Sequence, residues 1–302
     1  MPINVCITFD LDFSDYVDDW KQHDDFKLAI DHIVPFFEKN PEYKITWYIR
    51  LDTQIKRTYG SIDYIFNKYN KEIEILKENG HEIAWHPHIY REESGRWIQN
   101  ICSNEVYDEL SSLIPMARSL NLQSVRMGWG FHCNETMKLL SDAGFESDSS
   151  AIPRPHYKWE ETYKDWTITP SVPYYPCKSD YRKPGEPSLP ILEIPMSVIQ
   201  VRAPYDTEYV LRYLNLAYHP SLFEAPLRAW LSRYSHLITV THPYELAGGR
   251  QHGLLSFNIE AFIENILKIK EVADQKDYMV NFLTISEFAS RWKGGANGKQ
   301  KS

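Results

Sequence analysis

The sequence predicts an α/β barrel-like fold in which successive βα units build one parallel sheet. Two observations carry this reading. Strand-like and helix-like patterns alternate along the chain, with eight strand candidates and no repeat of fixed period. Chemically able side chains then fall at the ends of three of those strands, where parallel α/β folds place their ligand sites.

The first strand leads into ITFDLD (7–12), where Ile7 and Phe9 are β-prone and the acids of a long loop follow, Asp15, Asp18 and Asp19 among them. KITWYIR (44–50) reads as the second strand. Ile62, Ile65, Phe66, Tyr69, Ile73 and Leu76 then recur at helical spacing, and Gly80 supplies the stop. HEIAWHPH (81–88) resumes an extended pattern. Leu110, Leu113, Ala117 and Leu120 mark the next helix, SVRMGW (124–129) a strand, Met137 and Leu140 a helix ending at Gly144, and FESDSS (145–150) a strand. Late in the chain come ILEIPMSV (191–198), HLITVTH (236–242) and MVNFLTI (279–285). Between the last two, Asn258 is placed to cap a helix carrying Phe262, Ile263, Ile266 and Val272. Eight of the 18 prolines lie from Pro153 to Pro190, which predicts an excursion of loops and short β structure there, because proline lacks the N–H that regular elements need. The expected organisation is one barrel domain over 1–292, an insertion around 153–190, and a disordered tail over 293–302.

Composition narrows the function classes. At 302 residues, with 43% hydrophobic and 14% aromatic residues, the chain can bury a large interior. A net charge of −8, with no basic run before the tail, argues against nucleic acid as a partner. No apolar run approaches the roughly 20 residues of a membrane helix, and the first residues read as strand rather than signal peptide, so a cytoplasmic protein is expected. Cys6, Cys102, Cys133 and Cys177 show no CxxC spacing and are expected as reduced thiols. Oligomeric state is not readable.

Asp10 and Asp12 stand two residues apart, so an extended backbone points both carboxylates to one side, which suits a metal or a proton transfer. His86 and His88 form a His-x-His pair with the same property, and Pro87 between them favours extension. With Asp12 the set becomes two histidines and one carboxylate, which leaves room for water and is therefore catalytic rather than structural. His242 ends a late strand in TVTHPYE. Arg50 and Asp52 follow the second strand and read equally well as substrate contacts or as a surface salt bridge.

The ordered motifs TFDLD, GHEIAWHPH, RMGWG, DSS, EIPMS and THPYEL resemble those of the polysaccharide deacetylases, a carbohydrate-esterase family with a distorted (β/α) barrel of seven or eight strands. The resemblance spans roughly residues 3 to 290. It implies Asp10 as general base and Asp12 as metal ligand; Leu11 separates two aspartates that the family usually keeps adjacent, so exchanged roles also fit. The family's H-x-x-x-H is absent, since Tyr90 stands four residues after His86. The second histidine ligand is therefore assigned to His88, with His81 and Tyr90 as alternatives. By the same resemblance Arg126 orients the catalytic aspartate, Trp129 lends its backbone N–H to an oxyanion hole, Asp148 steadies His242, and His242 is the general acid.

The implied chemistry is that of an N-deacetylase using one divalent ion, Zn²⁺ before Co²⁺, Ni²⁺ or Mn²⁺ given the mixed N/O ligands. The ion acidifies water, Asp10 takes its proton as it attacks an acetamide carbonyl, and His242 protonates the leaving amine. The expected substrate is a small or carrier-linked N-acetyl sugar. Rival readings are hydrolysis of another C–N bond, as in ureide-ring hydrolases of this fold, and a non-catalytic carbohydrate-binding relative.

Overall fold

The computed structural model describes residues 2–12, 25–94, 96–159, 162–246 and 253–295. Asp15, Asp18 and Asp19 of the first loop and positions 296–302 of the expected tail lie outside them.

The chain opens on β1 (Pro2–Asp10), buried on both faces from Val5 onward. α1 (Asp25–Lys39) follows, burying Phe26, Ile30, Ile33 and Phe37 at helical spacing despite Pro35. β2 (Ile45–Ile49) leads to α2 (Thr53–Tyr59), where Asp52 caps by accepting from the Ile55 N–H at 3.1 Å. The single helix expected from the Ile62–Leu76 stripe is two, α3 (Tyr64–Lys68) and α4 (Asn70–Glu78), because Tyr69 at φ −107° and ψ 27° leaves the helical region between them.

β3 (Glu82–Trp85) ends before a hairpin of β4 (Tyr90–Glu93) and β5 (Arg96–Gln99), then α5 (Ser103–Ser119). The strand expected over 124–129 is only β6 (Ser124–Val125), since the chain turns into a 3₁₀ segment at Gly128–Gly130. α6 (Asn134–Asp142) and β7 (Ser147–Asp148) follow. The proline-rich stretch holds two antiparallel pairs, β8 (His156–Trp159) with β9 (Thr162–Asp165) and β10 (Pro176–Cys177) with β11 (Asp180–Pro184).

ILEIPMSV is not one strand either. β12 (Leu192–Glu193) joins the main sheet, and β13 (Val198–Val201) leaves it to pair with β14 (Val210–Tyr213). α7 (Pro220–Leu231), β15 (His236–Thr241), α8 (Ile259–Asp274, capped by Asn258), β16 (Met279–Phe282) and α9 (Ile285–Gly295) complete the chain. α9 therefore takes in Lys293, Gly294 and Gly295. Among the described residues no helix is long and apolar enough to cross a membrane.

Eight strands form one parallel sheet, seven of them in the order β12-β7-β6-β3-β2-β1-β15. β16 pairs with Pro2–Val5 of β1 on the edge that β2 occupies from Ile7 to Asp10. The sheet curls into a distorted, open barrel. Its two edges are bridged by Ser197, whose N–H donates to Ile238 O (3.0 Å) and whose hydroxyl accepts from Ile238 N (2.8 Å). Because strand side chains alternate, each face has its own core. Val5, Ile7 and Phe9 pack with helix residues such as Phe26, Val106 and Phe262. Cys6, Tyr48, Ala84, Leu192 and Ile238 gather with Ile285, Phe288 and Ala289 of α9.

That alternation sets the site. Asp10 is the last residue of β1; Arg50, His86, Arg126 and His242 each come directly after the last residue of β2, β3, β6 and β15. His81 sits at the other end of β3, where its Nδ1 accepts from the Ile45 N–H (3.1 Å) and its ring meets Phe37 edge-on. It is not near the ligand set, which removes it as an alternative ligand.

Burial, with Lys44 nearby, lowers His81 to about 4, and burial lowers His236 to about 4 as well. In the unfolded chain both titrate near 6.5, so below that pH the unfolded state binds more protons and stability falls as the pH drops from about 6.5 towards 4. Each is worth at most about 3 kcal/mol at the acid end of that window. Denaturant unfolding at pH 7 and pH 4.5 should show the loss, and His81→Gln should flatten it.

Candidate active site

Asp12, His86 and His88 bring Oδ1 and two Nε2 atoms within 4.8 Å of one another. His88 Nε2 lies 2.9 Å and His86 Nε2 3.5 Å from Asp12 Oδ1, and the two Nε2 atoms are 3.0 Å apart. His86 Nδ1 stands 2.7 Å from the Arg126 carbonyl oxygen. That oxygen can only accept, so Nδ1 carries the proton and Nε2 of the neutral ring presents a bare lone pair. His88 Nδ1 meets the Tyr90 hydroxyl at 2.8 Å, a group that accepts as well as donates, so this ring can present its Nε2 in the same way. No described group gives Asp12 Oδ1 a well-aligned hydrogen bond. Three electron-pair donors thus face one point, and the set fits a divalent ion of borderline softness.

Charge agrees with that fit. Burial pushes His88 down to about 4, against the pull of Asp12, so the ring is neutral at neutral pH. Burial raises the Asp12 carboxyl, but His88 and His86 facing it outweigh that and hold it well below the usual carboxylate range.

Beside these ligands lies Asp10, 5% exposed, whose Oδ1 accepts from Arg126 Nη1 at 2.6 Å. Arg126 is wholly buried and uses its other donors on Thr8 Oγ1 (2.7 Å), Ser149 O (2.8 Å) and Ser149 Oγ (2.9 Å). Across the pocket His242 Nε2 is 3.9 Å from Asp12 Oδ2. Its Nδ1 is 3.2 Å from Glu245 Oε1, and its backbone N–H donates to Glu245 Oε2 at 2.8 Å. Burial works against the imidazolium, but Glu245, with Asp12 and Asp10 behind it, lifts His242 to about 9. Asp10, Asp12, His86, His88 and His242 line a pocket of about 230 Å³ with Arg50, Tyr90, Trp129, Lys164, Tyr213 and Tyr244. Trp129 is held at φ 59°, and no described residue accepts a bond from its backbone N–H.

No protein-family model and no curated protein matches the chain in sequence. Solved structures do match. A Mycobacterium smegmatis protein provisionally named a polysaccharide deacetylase superposes with TM-score 0.57 at 16% identity over 97% of this chain and 91% of that one. The chain has the polysaccharide deacetylase fold. A 4-alpha-glucanotransferase from Thermococcus litoralis shares the fold at TM-score 0.52 and 13% identity, over 95% of this chain and 40% of that one. A Bordetella bronchiseptica protein provisionally named a polysaccharide deacetylase involved in O-antigen biosynthesis overlaps at TM-score 0.41 and 11% identity, over 87% and 89%, too loosely to argue from.

On this deacetylase fold most of the residues singled out from sequence meet in one pocket: Asp10, Asp12, His86, His88, Trp129 and His242 line it, and Arg126 reaches it through Asp10. Asp148 does not steady His242. It is fully buried at the end of β7, where Oδ2 is 3.0 Å from His132 Nε2 and Oδ1 accepts from the Ser150 N–H at 2.7 Å. Its ladder neighbour Glu193 is raised well above the carboxylate range by burial and by Asp148 itself. Glu245, three residues after His242, does the steadying; its signal was the H-x-x-E spacing inside THPYEL. Arg50 is no surface residue. It is 1% exposed, pairs with Asp52, donates to Gln54 Oε1 (2.8 Å) and reaches to 3.6 Å of Asp12.

Gly128 of RMGWG has a steric duty, since a Cβ there would come within 2.3–2.6 Å of three His88 ring atoms. Gly128→Ala should therefore weaken metal binding by about tenfold or more, as ligand-orienting changes commonly do. In a His88→Ala background, where the clash is gone, the same change should leave unfolding stability nearly unaltered. Isothermal titration with Zn²⁺ and denaturant unfolding of the four proteins measure both.

Proposed function

We propose that the chain is a metal-dependent hydrolase that removes the N-acetyl group from an amino sugar or a sugar-containing small molecule. The observation that carries this is the placing of two proton-transfer groups, Asp10 and His242, in the same small pocket as the Asp12, His86 and His88 donors. A binding protein has no use for that combination.

Asp12, His86 and His88 would hold one divalent ion, Zn²⁺ foremost. When bound it supplies Lewis acidity, making water a better acid and an acyl oxygen a better electron acceptor. The chain's own residues do the rest. Arg126 occupies Oδ1 of Asp10 and leaves Oδ2 to take the proton of the attacking water, holding the base in one orientation. The Trp129 N–H donates to the oxyanion as the carbonyl becomes tetrahedral, a contribution of about 3 kcal/mol for a well-placed donor. His242, kept protonated by Glu245, gives its proton to the departing nitrogen, without which an amine does not leave. Tyr90 orients His88 rather than ligating.

Elemental analysis of protein purified without chelator should find about one divalent transition ion per chain, and His86→Ala should remove it. Acetate release from a panel of N-acetyl sugars should fall roughly 10²–10⁴-fold in Asp10→Asn and His242→Gln while metal content is kept. An unactivated acetamide cleaved as fast by His242→Gln as by the native chain would sink the assigned acid and turn attention to another C–N bond; no turnover of any amide would favour binding alone.

The pH dependence gives a separate check. The acid form of His242 is required, so activity is lost as the pH rises through its pKa, which Glu245 holds up. Glu245→Gln should move the alkaline limb down by about one to two pH units. An unmoved limb would assign it to another group.

A further inference from the structure

A groove of about 560 Å³, larger than the catalytic pocket, lies between the β13–β14 hairpin and α7. Its lining holds three arginines, Arg154, Arg202 and Arg233, and no acidic residue, in a chain whose net charge is −8. No described carboxylate pairs with Arg154 or Arg233; Arg202 donates to the Asp206 backbone oxygen (3.3 Å), and the Asp206 carboxylate is held through both oxygens by Arg212. Arg154 is fixed at φ 75°, a backbone setting unusual for a side-chain-bearing residue, by its N–H bond to Trp166 O (2.8 Å). The same lining carries two tyrosines, Tyr209, which is 63% exposed, and the half-buried Tyr234. A groove that combines guanidinium forks with an exposed aromatic ring suits a sugar bearing a carboxylate or phosphate.

The groove and the catalytic pocket are linked through shared walls. Leu211 lines both the groove and a second cavity of about 370 Å³; Ile152, Lys164 and Tyr213 line both that cavity and the pocket. Leu211 and Tyr213 share one side of β14 and Tyr209 directly precedes the strand; at about 3.3 Å per extended residue the three cover about 13 Å from the groove to the pocket. Lys164, carried by β9 of the proline-rich insertion, adds a cation at the junction.

We infer that the arginine groove is a distal binding site for the anionic portion of an acidic saccharide whose N-acyl sugar reaches the catalytic pocket. The link to turnover rests on the deacetylase reading; the binding itself does not.

Isothermal titration tests it with three probes: tetragalacturonate for a carboxylate, UDP-N-acetylglucosamine for a phosphate, and fully acetylated chitotetraose as the neutral comparator. At least one anionic probe should bind about tenfold or more tightly than the neutral one and weaken with salt, and which one does so identifies the anion. Arg154→Ala/Arg233→Ala should cost it about tenfold or more with melting temperature and metal content unchanged, and Arg233→Glu alone should weaken it further than Arg233→Ala. Asp12→Asn should leave this binding in place, which separates it from capture at the metal centre. Equal affinity for the neutral probe, or anionic affinity untouched by the arginine changes, overturns the proposal. If arginine-dependent binding holds but no acetate is ever released, the groove stands and the deacetylase reading falls; acetate release from neutral sugars without arginine-dependent binding does the reverse.

Discussion

The buried guanidinium of Arg126 is the constraint around which the rest of the site is arranged. It bonds Thr8 and Asp10 on β1 and Ser149 beyond β7, lies 4.2 Å over the Tyr48 ring of β2, and its own carbonyl accepts from His86 beyond β3. One residue thus ties five strands of the sheet together at the end where the pocket opens. A fully buried cation is tolerable only when most of its donors find acceptors and a counter-charge is present, and removing one partner of such a pair commonly costs about 3–5 kcal/mol. Thr8, Asp10 and Ser149 meet that demand, so the same network that makes Arg126 permissible also aims Asp10 and fixes the proton on His86.

Around this anchor the pocket separates two kinds of histidine by environment. His88 is buried beside Asp12 and stays neutral, as a ligand must be; His242 is buried beside Glu245 and stays charged, as an acid must be. The difference is the distribution of carboxylates, since desolvation lowers both. Asp12 is pulled towards Arg50 as well as towards the two imidazoles, whereas Glu245 has Asn215 as its only other described side-chain partner and gives most of its field to His242. The ring of titratable groups at the strand ends also includes Asp148 and Glu193, but His132 and burial close that corner off from the pocket.

What the sequence by itself determined was the alternation of strands and helices and the residues that end the strands. TFDLD, AWHPH and TVTHPYE each join an apolar run to ionisable groups, and the period of two in a strand makes their co-facing readable without coordinates. The Asp12, His86 and His88 set came from that rule, and the fold class from the order of elements. Helices were less legible: α1 buries a regular apolar stripe but contains Pro35, and α7 begins at Pro220 and contains Pro226, so propensity hides what packing enforces.

Only the tertiary structure decided which acid serves which base. The resemblance points to Asp148 and the H-x-x-E spacing to Glu245, and the sequence does not rank them; the sheet order puts β7 next to β12 and leaves His242, directly after β15, to the carboxylate of its own turn. It likewise moved Arg50 from an undecided loop position into the wall of the pocket, placed Tyr90 behind His88, and showed why residue 128 has no side chain. Strand periodicity is a local property, set by the backbone two residues at a time. Pairings between side chains dozens of residues apart depend on how strands neighbour one another and on where the barrel fails to close, and those are settled by packing the whole chain.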